Sequence, residues 1–382
     1  MSLESGRGTA RRMDVNFGTS APFSLGVEEE FQLLNGESFE LTSRFDEVLA
    51  AAGGDVRIKP ELLQSTAEVA TDVAGTVGEA IEHARDLRRR VRDAAREGGV
   101  VIASAGTHPF SRYEHQDVTE QERYRELIES MQWVAERELI FGLHVHVGVQ
   151  TAQEAVGVAN ALRTWLPELL AISANSPFWH GRDTGLASTR SKVFDAFPRS
   201  GLPPAFSSFE EFELLVERGV KTGSFSDYTY IWWDLRPHPK LGTIEIRVCD
   251  SQTRIESVAA IVALVQSLVA TLAERYDREG SLPIQPITLV AENKWRAARY
   301  GLETDLVDLE HDSERPARDA IRALVELAEP AARRLGCAAE LGEVERLLER
   351  GTGADEQRRI QQETGSLLAV AQWLADETVA RI

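Results

Sequence analysis

Short segments in which apolar and polar residues alternate with a period of two constrain the fold of this chain more than any other feature. In residues 23–33 the odd positions are apolar except for Glu29, whereas the even positions include Glu28 and Glu30. Residues 143–149 alternate in the same way, with both histidines of the segment on the polar side. Because successive side chains of a strand point to opposite faces, each segment predicts a strand with one buried face.

Two further segments, residues 231–236 and 243–248, alternate in the same way and flank a loop, so they predict a β-hairpin. Strands with one apolar and one polar face are typical of antiparallel sheets, because parallel strands buried on both faces are apolar throughout. The polar positions of this hairpin carry charged residues, which are Asp234, Arg236, Glu245 and Arg247. We therefore expect an antiparallel sheet whose polar face lines a site, with plain exposure to solvent as the alternative.

Most of the remaining chain has helical periodicity, so the predicted fold class is α+β. An apolar stripe at residues 77–91 predicts a helix that ends at the paired glycines 98–99. Capping-box patterns at residues 119–122 and 151–154 predict two more helices of roughly five turns each. The uncharged run 257–273 is short for a membrane span and predicts a buried core helix.

The organisation of the chain indicates one domain, since no internal repeat or low-complexity linker divides it. We expect a single catalytic domain over residues 21–382, in which residues 304–382 form a helical C-terminal part. Residues 1–20 contain arginines but no apolar stretch, so they predict a disordered tail and not a signal peptide.

The charge balance and the missing motifs exclude several classes of function. Lys and Arg number 42 against 61 Asp and Glu, and a net charge of −19 argues against nucleic-acid binding. Two cysteines cannot form a disulfide framework, so we expect a cytoplasmic protein without a membrane partner. The Walker phosphate loop, the Rossmann glycine turn, the nucleophile elbow and the H-E-x-x-H zinc motif are absent from the sequence.

A set of acidic and imidazole side chains remains as the candidate chemistry. Several carboxylates in one cleft repel each other and raise their pKa values unless cations are present. Carboxylate oxygens with an occasional imidazole suit Mg²⁺ or Mn²⁺ better than Zn²⁺. Taken singly, each carboxylate pair or His-x-His pattern also fits a structural or solvated role. Taken together, they predict a divalent-metal site built from Glu28, Glu30, Glu61, Glu68, His144, His146 and Glu245.

Six segments resemble, in order, the carboxylate–amine ligase family, also called type 2 glutamate–cysteine ligases. They are SLGVEEEFQLL (24–34), IKPELLQSTAEVAT (58–71), AGTHPF (105–110), GLHVHVGV (142–149), SANSPFWHGRDTGLASTR (173–190) and WWDLRPHPKLGTIEIRVCD (232–250). The resemblance implies a glutamine synthetase-like catalytic fold, in which a curved antiparallel sheet forms an active-site funnel and is backed by helices. It also implies ATP at one end of the funnel, Mg²⁺ ions across the sheet and amino acids entering from the other end.

The resemblance assigns roles to individual residues. His144 matches a metal-ligand position better than His146, because it follows the Gly–apolar pair. Glu61 and Glu68 would lie on opposite faces of an uninterrupted strand, so a bend is required between them. Arg247 matches an arginine that meets ATP phosphates. The metal ligands implied in this way are Glu28, Glu30, Glu61, Glu68, His144 and Glu245.

Further cations are candidates for contact with substrate or ATP. Arg190 is expected either to hold the substrate carboxylate, as a catalytic residue beside Arg247, or to brace a loop. Arg236 is expected either to bind ATP or to pair with Asp234 on the same face. Lys294 is expected either to reach phosphate or to solvate a helix.

The activity implied is ATP-dependent ligation, in which a carboxylate becomes an acyl phosphate and an amine then displaces phosphate to form an amide. The expected substrates are small molecules, glutamate with cysteine or another amine, and a homodimer is the expected assembly. Cys249 is predicted to be a packed thiol, because this reaction needs no protein nucleophile. Two alternatives stay open, a metal-dependent hydrolase that uses the same cluster and a catalytically silent binding protein with the ligase fold.

Overall fold

The computed structural model describes residues 13–311 and 313–382, so most of the predicted tail at residues 1–20 lies outside the described residues. The strands within the described residues are β1 Leu25–Asn35, β2 Ile58–Pro60, β3 Thr66–Ala70, β4 Val100–Ala103, β5 Gly142–Gly148, β6 Phe178–Trp179, β7 Arg182–Asp183, β8 Ser200–Gly201, β9 Trp232–Trp233, β10 Leu235–His238, β11 Thr243–Asp250, β12 Asp305–Asp308 and β13 Ser313–Pro316. The helices are α1 Phe45–Ala51, α2 Val77–Glu97, α3 Glu122–Met131, α4 Trp133–Glu136, α5 Ala152–Leu162, α6 Leu166–Ser173, α7 Thr189–Phe194, α8 Phe209–Lys221, α9 Ile255–Glu279, α10 Ile287–Tyr300, α11 Ala317–Leu335, α12 Ala338–Arg350, α13 Gly353–Thr364 and α14 Leu367–Thr378.

One antiparallel sheet organises the molecule. Its strand order is β10–β11–β5–β1–β3–β2, and β4 pairs with the C-terminal end of β1. Strand β1 is therefore hydrogen-bonded to three other strands, β3, β4 and β5. The odd residues of β1 from Leu25 to Leu33 are buried and its first even residues are partly exposed, which confirms the predicted one-sided antiparallel strand.

Helices cover the apolar face of this sheet. Helices α2 and α9 pack on β1 and β5, while α5 and α6 pack on the β10–β11 hairpin. Among the described residues, α9 is the one helix long and apolar enough to cross a membrane, and 89% of its apolar window is buried inside the protein. This burial confirms the predicted core helix, which α11 and α12 cover from the other side.

Of the two predicted capping boxes, the structure shows the one at residues 151–154 but not the one at residues 119–122. Thr151 and Glu154 form the predicted capping box, although α5 ends at Leu162, short of five turns. The prediction at residues 119–122 is wrong, because α3 begins at Glu122 without a side-chain cap and ends at Met131. The Thr119 hydroxyl instead donates 2.6 Å to the carbonyl of Glu61, a tertiary contact that sequence spacing does not reveal.

The C-terminal part differs from the helical prediction for residues 304–382 at its start. Strands β12 and β13 form a hairpin before α11 begins at Ala317, and the chain is helical only from there. The last helix, α14, packs on β4, and the Ser104 amide donates 2.9 Å to the Thr378 hydroxyl. The C-terminal helices are therefore tied directly to the edge of the catalytic sheet.

The one charged residue on the apolar face of β1 is neutralised by a buried arginine. The Arg88 guanidinium of α2 contacts both carboxylate oxygens of Glu29, with Nε at 3.2 Å, and both side chains are almost fully buried. Its remaining hydrogens donate to carbonyls of Gln252, Thr253 and Thr378 at 2.7, 2.9 and 3.2 Å. A single guanidinium thus joins β1, the start of α9 and the end of α14.

We predict that Arg88→Met lowers the free energy of unfolding by about 3–5 kcal/mol, because it leaves the Glu29 carboxylate buried without a partner. The double variant with Glu29→Leu should recover much of this loss. Arg90→Met on the same helix is the control, since Arg90 and Asp86 form a pair whose side chains are 50% and 41% exposed. That change should cost less than about 1 kcal/mol. Urea denaturation checks all three, and equal losses for Arg88→Met and Arg90→Met would contradict the interpretation.

Candidate active site

Strand register brings the predicted polar residues into one row across the sheet. Glu28 on β1 lies opposite His144 on β5. Glu30 lies opposite Glu68 on β3. His146 lies opposite Glu245 on β11, so the row continues across four neighbouring strands. Since directly opposed side chains lie about 5 Å apart, the register alone creates the cluster.

Three overlapping groups in this row have ligand atoms within 4.8 Å of one another, and each could hold a cation. Glu28 belongs to two of the groups and Glu68 belongs to two, so the three positions are contiguous. Glu61 joins the third group because β2 ends at Pro60 and β3 begins at Thr66, which places the required bend between Glu61 and Glu68. The groups are Glu28–His146–Glu245, Glu28–Glu68–His144 and Glu30–Glu61–Glu68.

Both histidines face the carboxylates, although the resemblance favours only one of them as a ligand. His144 Nδ1 lies 3.3 Å from a Glu28 oxygen, and its Nε2 lies 3.8 Å from a Glu30 oxygen. His146 Nε2 lies 3.7 Å from Glu28 and 3.9 Å from Glu245. Within the described part of the chain, Nε2 of each ring is buried without a hydrogen-bond partner. The geometry brings His146 into one of the three candidate groups, as the His-x-His pattern predicts, although it is not among the ligands that the resemblance implies.

The electrostatics of the row show an uncompensated negative charge. Burial and the neighbouring Glu61 raise the pKa of Glu30 to about 7. Burial and Glu28 raise the pKa of Glu68 well above its usual value. Burial also acts to raise the pKa of Glu28, but the neighbouring imidazoles of His144 and His146 together outweigh it and leave that pKa well below its usual range. A divalent cation relieves such repulsion, so the donor set fits Mg²⁺ or Mn²⁺.

A lysine already stands within this row. Lys59 Nζ lies 3.6 Å from a Glu28 oxygen and 3.3 Å from a Glu68 oxygen. Its side chain is 43% exposed, so it reaches the carboxylates from the solvent side. The sequence did not indicate this role, because Lys59 meets Glu68 only through the β2–β3 register.

The predicted cations divide between the cleft and the protein interior. Arg247 lines the cleft and contacts Glu245 at 2.5 Å. Arg236 does not pair with Asp234 as one alternative proposed, because cross-strand register sets it against Glu245, and it also donates to the Ile231 carbonyl. Arg236 is therefore directed into the protein, where it contacts the Glu245 carboxylate together with the cleft residue Arg247.

Lys294 also has protein partners. It lies on α10, and its ammonium group contacts Asp234 at 2.6 Å and Asp195 at 3.0 Å. Its side chain is buried and it is not among the residues that line the cleft. Asp234 sits between β9 and β10, where the predicted continuous strand 231–236 is interrupted. These contacts fix the hairpin to α10 and direct the ammonium group to Asp234 and Asp195.

Arg190 differs from the other cations in having no carboxylate partner among the described residues. It is 3% exposed and lines the cleft, yet it donates only to the backbone carbonyls of Arg247 and Val248, at 3.2 and 3.4 Å. A buried guanidinium without a counter-ion is costly, and an anionic ligand relieves that cost. The structure therefore supports the substrate-binding alternative for Arg190 over a purely bracing role.

The cleft has a volume of about 330 Å³ and combines this charge with an aromatic wall of Tyr124, Phe194, Phe197 and Trp232. It also contains Glu138, which sequence reasoning missed, and burial raises the pKa of that carboxyl to about 8. A second cavity of about 220 Å³ lies beyond Glu28 and His146. The polar row thus stands between two openings, as expected for reactants that approach from opposite ends of a funnel.

Cys249 has the predicted structural role. Its thiol is fully buried, burial raises its pKa to about 12, and its sulfur lies 3.9 Å from the Leu169 carbonyl oxygen. It belongs to the apolar core behind the sheet. The thiol is therefore on the wrong side of β11 to act in the cleft.

Comparisons with known proteins agree with this geometry. The chain is 46% identical over 358 residues to "Putative glutamate--cysteine ligase 2-1" of Rubrobacter xylanophilus, covering 93% of this chain and 95% of that protein. It is 47% identical over 369 residues to "Putative glutamate--cysteine ligase 2-3" of the same organism, covering 96% and 100%.

The fold is shared with solved structures of low sequence identity. A glutamate–cysteine ligase of Francisella tularensis, crystallised in complex with AMP, superposes with a TM-score of 0.69 at 12% identity, covering 94% of this chain and 90% of that one. This likeness confirms the predicted fold of an antiparallel sheet backed by helices, which the chain shares with that ligase. The family model described as "Glutamate-cysteine ligase family 2" matches residues 24–373. The chain belongs to the glutamate–cysteine ligase family 2.

Proposed function

We propose that the protein is an ATP- and Mg²⁺-dependent carboxylate–amine ligase that joins the γ-carboxyl group of glutamate to cysteine or another amine. The observation that carries this proposal is the contiguous row of three candidate cation positions beside two cleft arginines, Arg190 and Arg247. Family membership and the names of the relatives support the reaction class.

The chemistry proceeds in two displacements. A substrate carboxylate oxygen attacks the γ-phosphorus of ATP, the bond to the β-phosphate oxygen breaks, and ADP leaves. A neutral amine nitrogen then attacks the acyl carbon, the bond from that carbon to the phosphate oxygen breaks, and the nitrogen loses one proton. Both steps depend on positioning and on neutralising oxygen charge more than on a protein nucleophile.

The residues of this chain supply those two requirements. Mg²⁺ held by the row of carboxylates and histidines would neutralise phosphate oxygens during transfer. Arg247 has two features of a phosphate partner: it lines the cleft and presents a planar fork of donors. Arg190, which lacks a carboxylate partner among the described residues, binds the carboxylate end of the acid substrate. The buried walls of the cleft exclude water from the acyl phosphate.

The first test follows the oxygen of the acid substrate. With glutamate labelled with ¹⁸O in its γ-carboxyl group, we expect one labelled oxygen in the phosphate released during amide formation, because the acyl phosphate passes it on. Phosphate release from ATP should require both glutamate and an amine, scanned across a panel that includes cysteine. Unlabelled phosphate with amide still formed would exclude the acyl phosphate, and amide hydrolysis without ATP would favour the hydrolase alternative.

The second test separates metal binding from ordinary burial of a carboxyl group. Glu30→Gln should reduce the rise in melting temperature that Mg²⁺ gives the wild type, because it removes a ligand. Glu168→Gln is a matched control, since burial also raises the pKa of Glu168 to about 7 but Glu168 belongs to none of the three groups. Glu168→Gln should keep the full Mg²⁺ response, and equal responses from both variants would remove Glu30 from the metal site.

The raised pKa values of Glu30 and Glu168 also predict how the free energy of unfolding depends on pH when EDTA is present. The folded pKa of Glu30 is about 7 against an ordinary value of 4.5, so the folded state binds more protons than the unfolded state between these values. Stability contributed by the protonated carboxyl is therefore present at low pH and lost as the pH rises through this window. Both glutamine variants should show a flatter decrease of stability than the wild type, measured by urea denaturation at several pH values.

The third test concerns phosphate stabilisation. Arg247→Lys should lower kcat by an amount equivalent to about 2–4 kcal/mol in the barrier, as for loss of one preorganised donor, because an ammonium group cannot reproduce the bidentate fork. Cys249→Ala should remain active, since its thiol lies in the core. Steady-state kinetics with saturating Mg²⁺ measure both, and an unchanged kcat for Arg247→Lys would remove Arg247 from the phosphate site.

A further inference from the structure

An unpartnered carboxyl group lies in the cleft upstream of β5. Glu138 stands four residues before Gly142, in the turn between α4 and β5, where the Leu139 amide donates 2.8 Å to the Arg137 carbonyl. Glu138 lines the cleft, and within the described residues both of its carboxylate oxygens are buried without a hydrogen-bond partner. The proposed phosphoryl transfer uses no part of this side chain.

Arg190 lies in the same cleft, and its guanidinium group donates to the Arg247 and Val248 carbonyls but has no carboxylate partner among the described residues. The absence of a side chain at Gly142 makes room for it, because a Cβ atom there would lie 2.4 Å from Arg190 Nη2. Arg190 is among the charges that act on Glu138, yet the two side chains form no ion pair among the described residues. A buried carboxyl group and a buried guanidinium group that do not pair with each other fit a ligand that carries both opposite charges itself.

We propose that Glu138 binds the α-ammonium group of the acid substrate while Arg190 binds its α-carboxylate, so that the cleft selects an α-amino acid over a simple dicarboxylate. This inference rests on the proposed function and names a residue that determines its specificity. Glu138 makes charge-assisted hydrogen bonds to the ammonium group, which replace the partners that its buried oxygens lack.

The ammonium group in question is that of the acid substrate and not of the attacking amine. A carboxylate beside an amine stabilises its protonated form, and a protonated amine has no lone pair with which to attack the acyl carbon. A fixed anion therefore hinders the nucleophile but suits a group that keeps its charge throughout the reaction. The α-ammonium group of the acid substrate is such a group.

Three acids separate the two contacts. Glutamate carries both α-groups, glutarate lacks the ammonium group, and 4-aminobutyrate lacks the α-carboxylate. Glu138→Gln should lower kcat/KM for glutamate and 4-aminobutyrate by at least ~10-fold, as for loss of a hydrogen bond to a charged group, and leave glutarate unchanged. Arg190→Met should instead lower kcat/KM for glutamate and glutarate. Glu168→Gln, which removes a buried carboxyl outside the cleft, should alter none of the three.

The outcomes distinguish this inference from the proposed function. If the wild type turns over glutamate and Glu138→Gln loses activity equally with all three acids, or with none, the ammonium contact is excluded and the ligase assignment stands. If the wild type releases no phosphate with any acid and amine, the proposed function fails. The contact is then tested by the rise in melting temperature that the same three acids give in the presence of Mg²⁺ and a non-hydrolysable ATP analogue. Only the wild type and Glu168→Gln should be stabilised more by glutamate than by glutarate.

Discussion

The register of β1 is the constraint on which the rest of the structure depends. A slip of one residue would exchange its faces, so that Glu28 and Glu30 would enter the core and Glu29 would enter the cleft. The hydrogen bonds to β3, β4 and β5 resist such a slip, and the buried contact of Arg88 with Glu29 opposes it independently. Because that arginine also holds α9 and α14, the core fixes the position of the polar row.

The carboxylates on the cleft face of the sheet repel one another, whereas the one carboxylate on the apolar face of β1 is neutralised. Glu29 has a dedicated counter-ion, whereas Glu30 and Glu68 have raised pKa values and Glu138 has no partner among the described residues. Proteins tolerate such local instability where ligands are to bind, and neutralise it elsewhere. The contrast between the two faces of one sheet therefore marks the functional side without reference to any relative.

The faces of the strands were readable from sequence, but their partners were not. Alternation placed Glu28, Glu30 and His144 on one side, and the bend between Glu61 and Glu68 followed from their spacing. The pairing of Arg236 with Glu245 and of Lys294 with Asp234 depends on register and on helix packing, which leave no local signal. Thr119 and the β12–β13 hairpin were missed for the same reason, since a tertiary contact or a short strand pair overrides helical periodicity.

Lys59 would compete with any divalent cation that binds at the middle of the polar row. Its ammonium group already bridges Glu28 and Glu68, so a divalent ion that took those oxygens would replace one positive charge by two. Binding would then be an exchange between cations, in which the lysine head returns to solvent on its flexible stem. A divalent ion at that position would compete with a tethered cation, which can stay between the two carboxylates when no metal ion is bound.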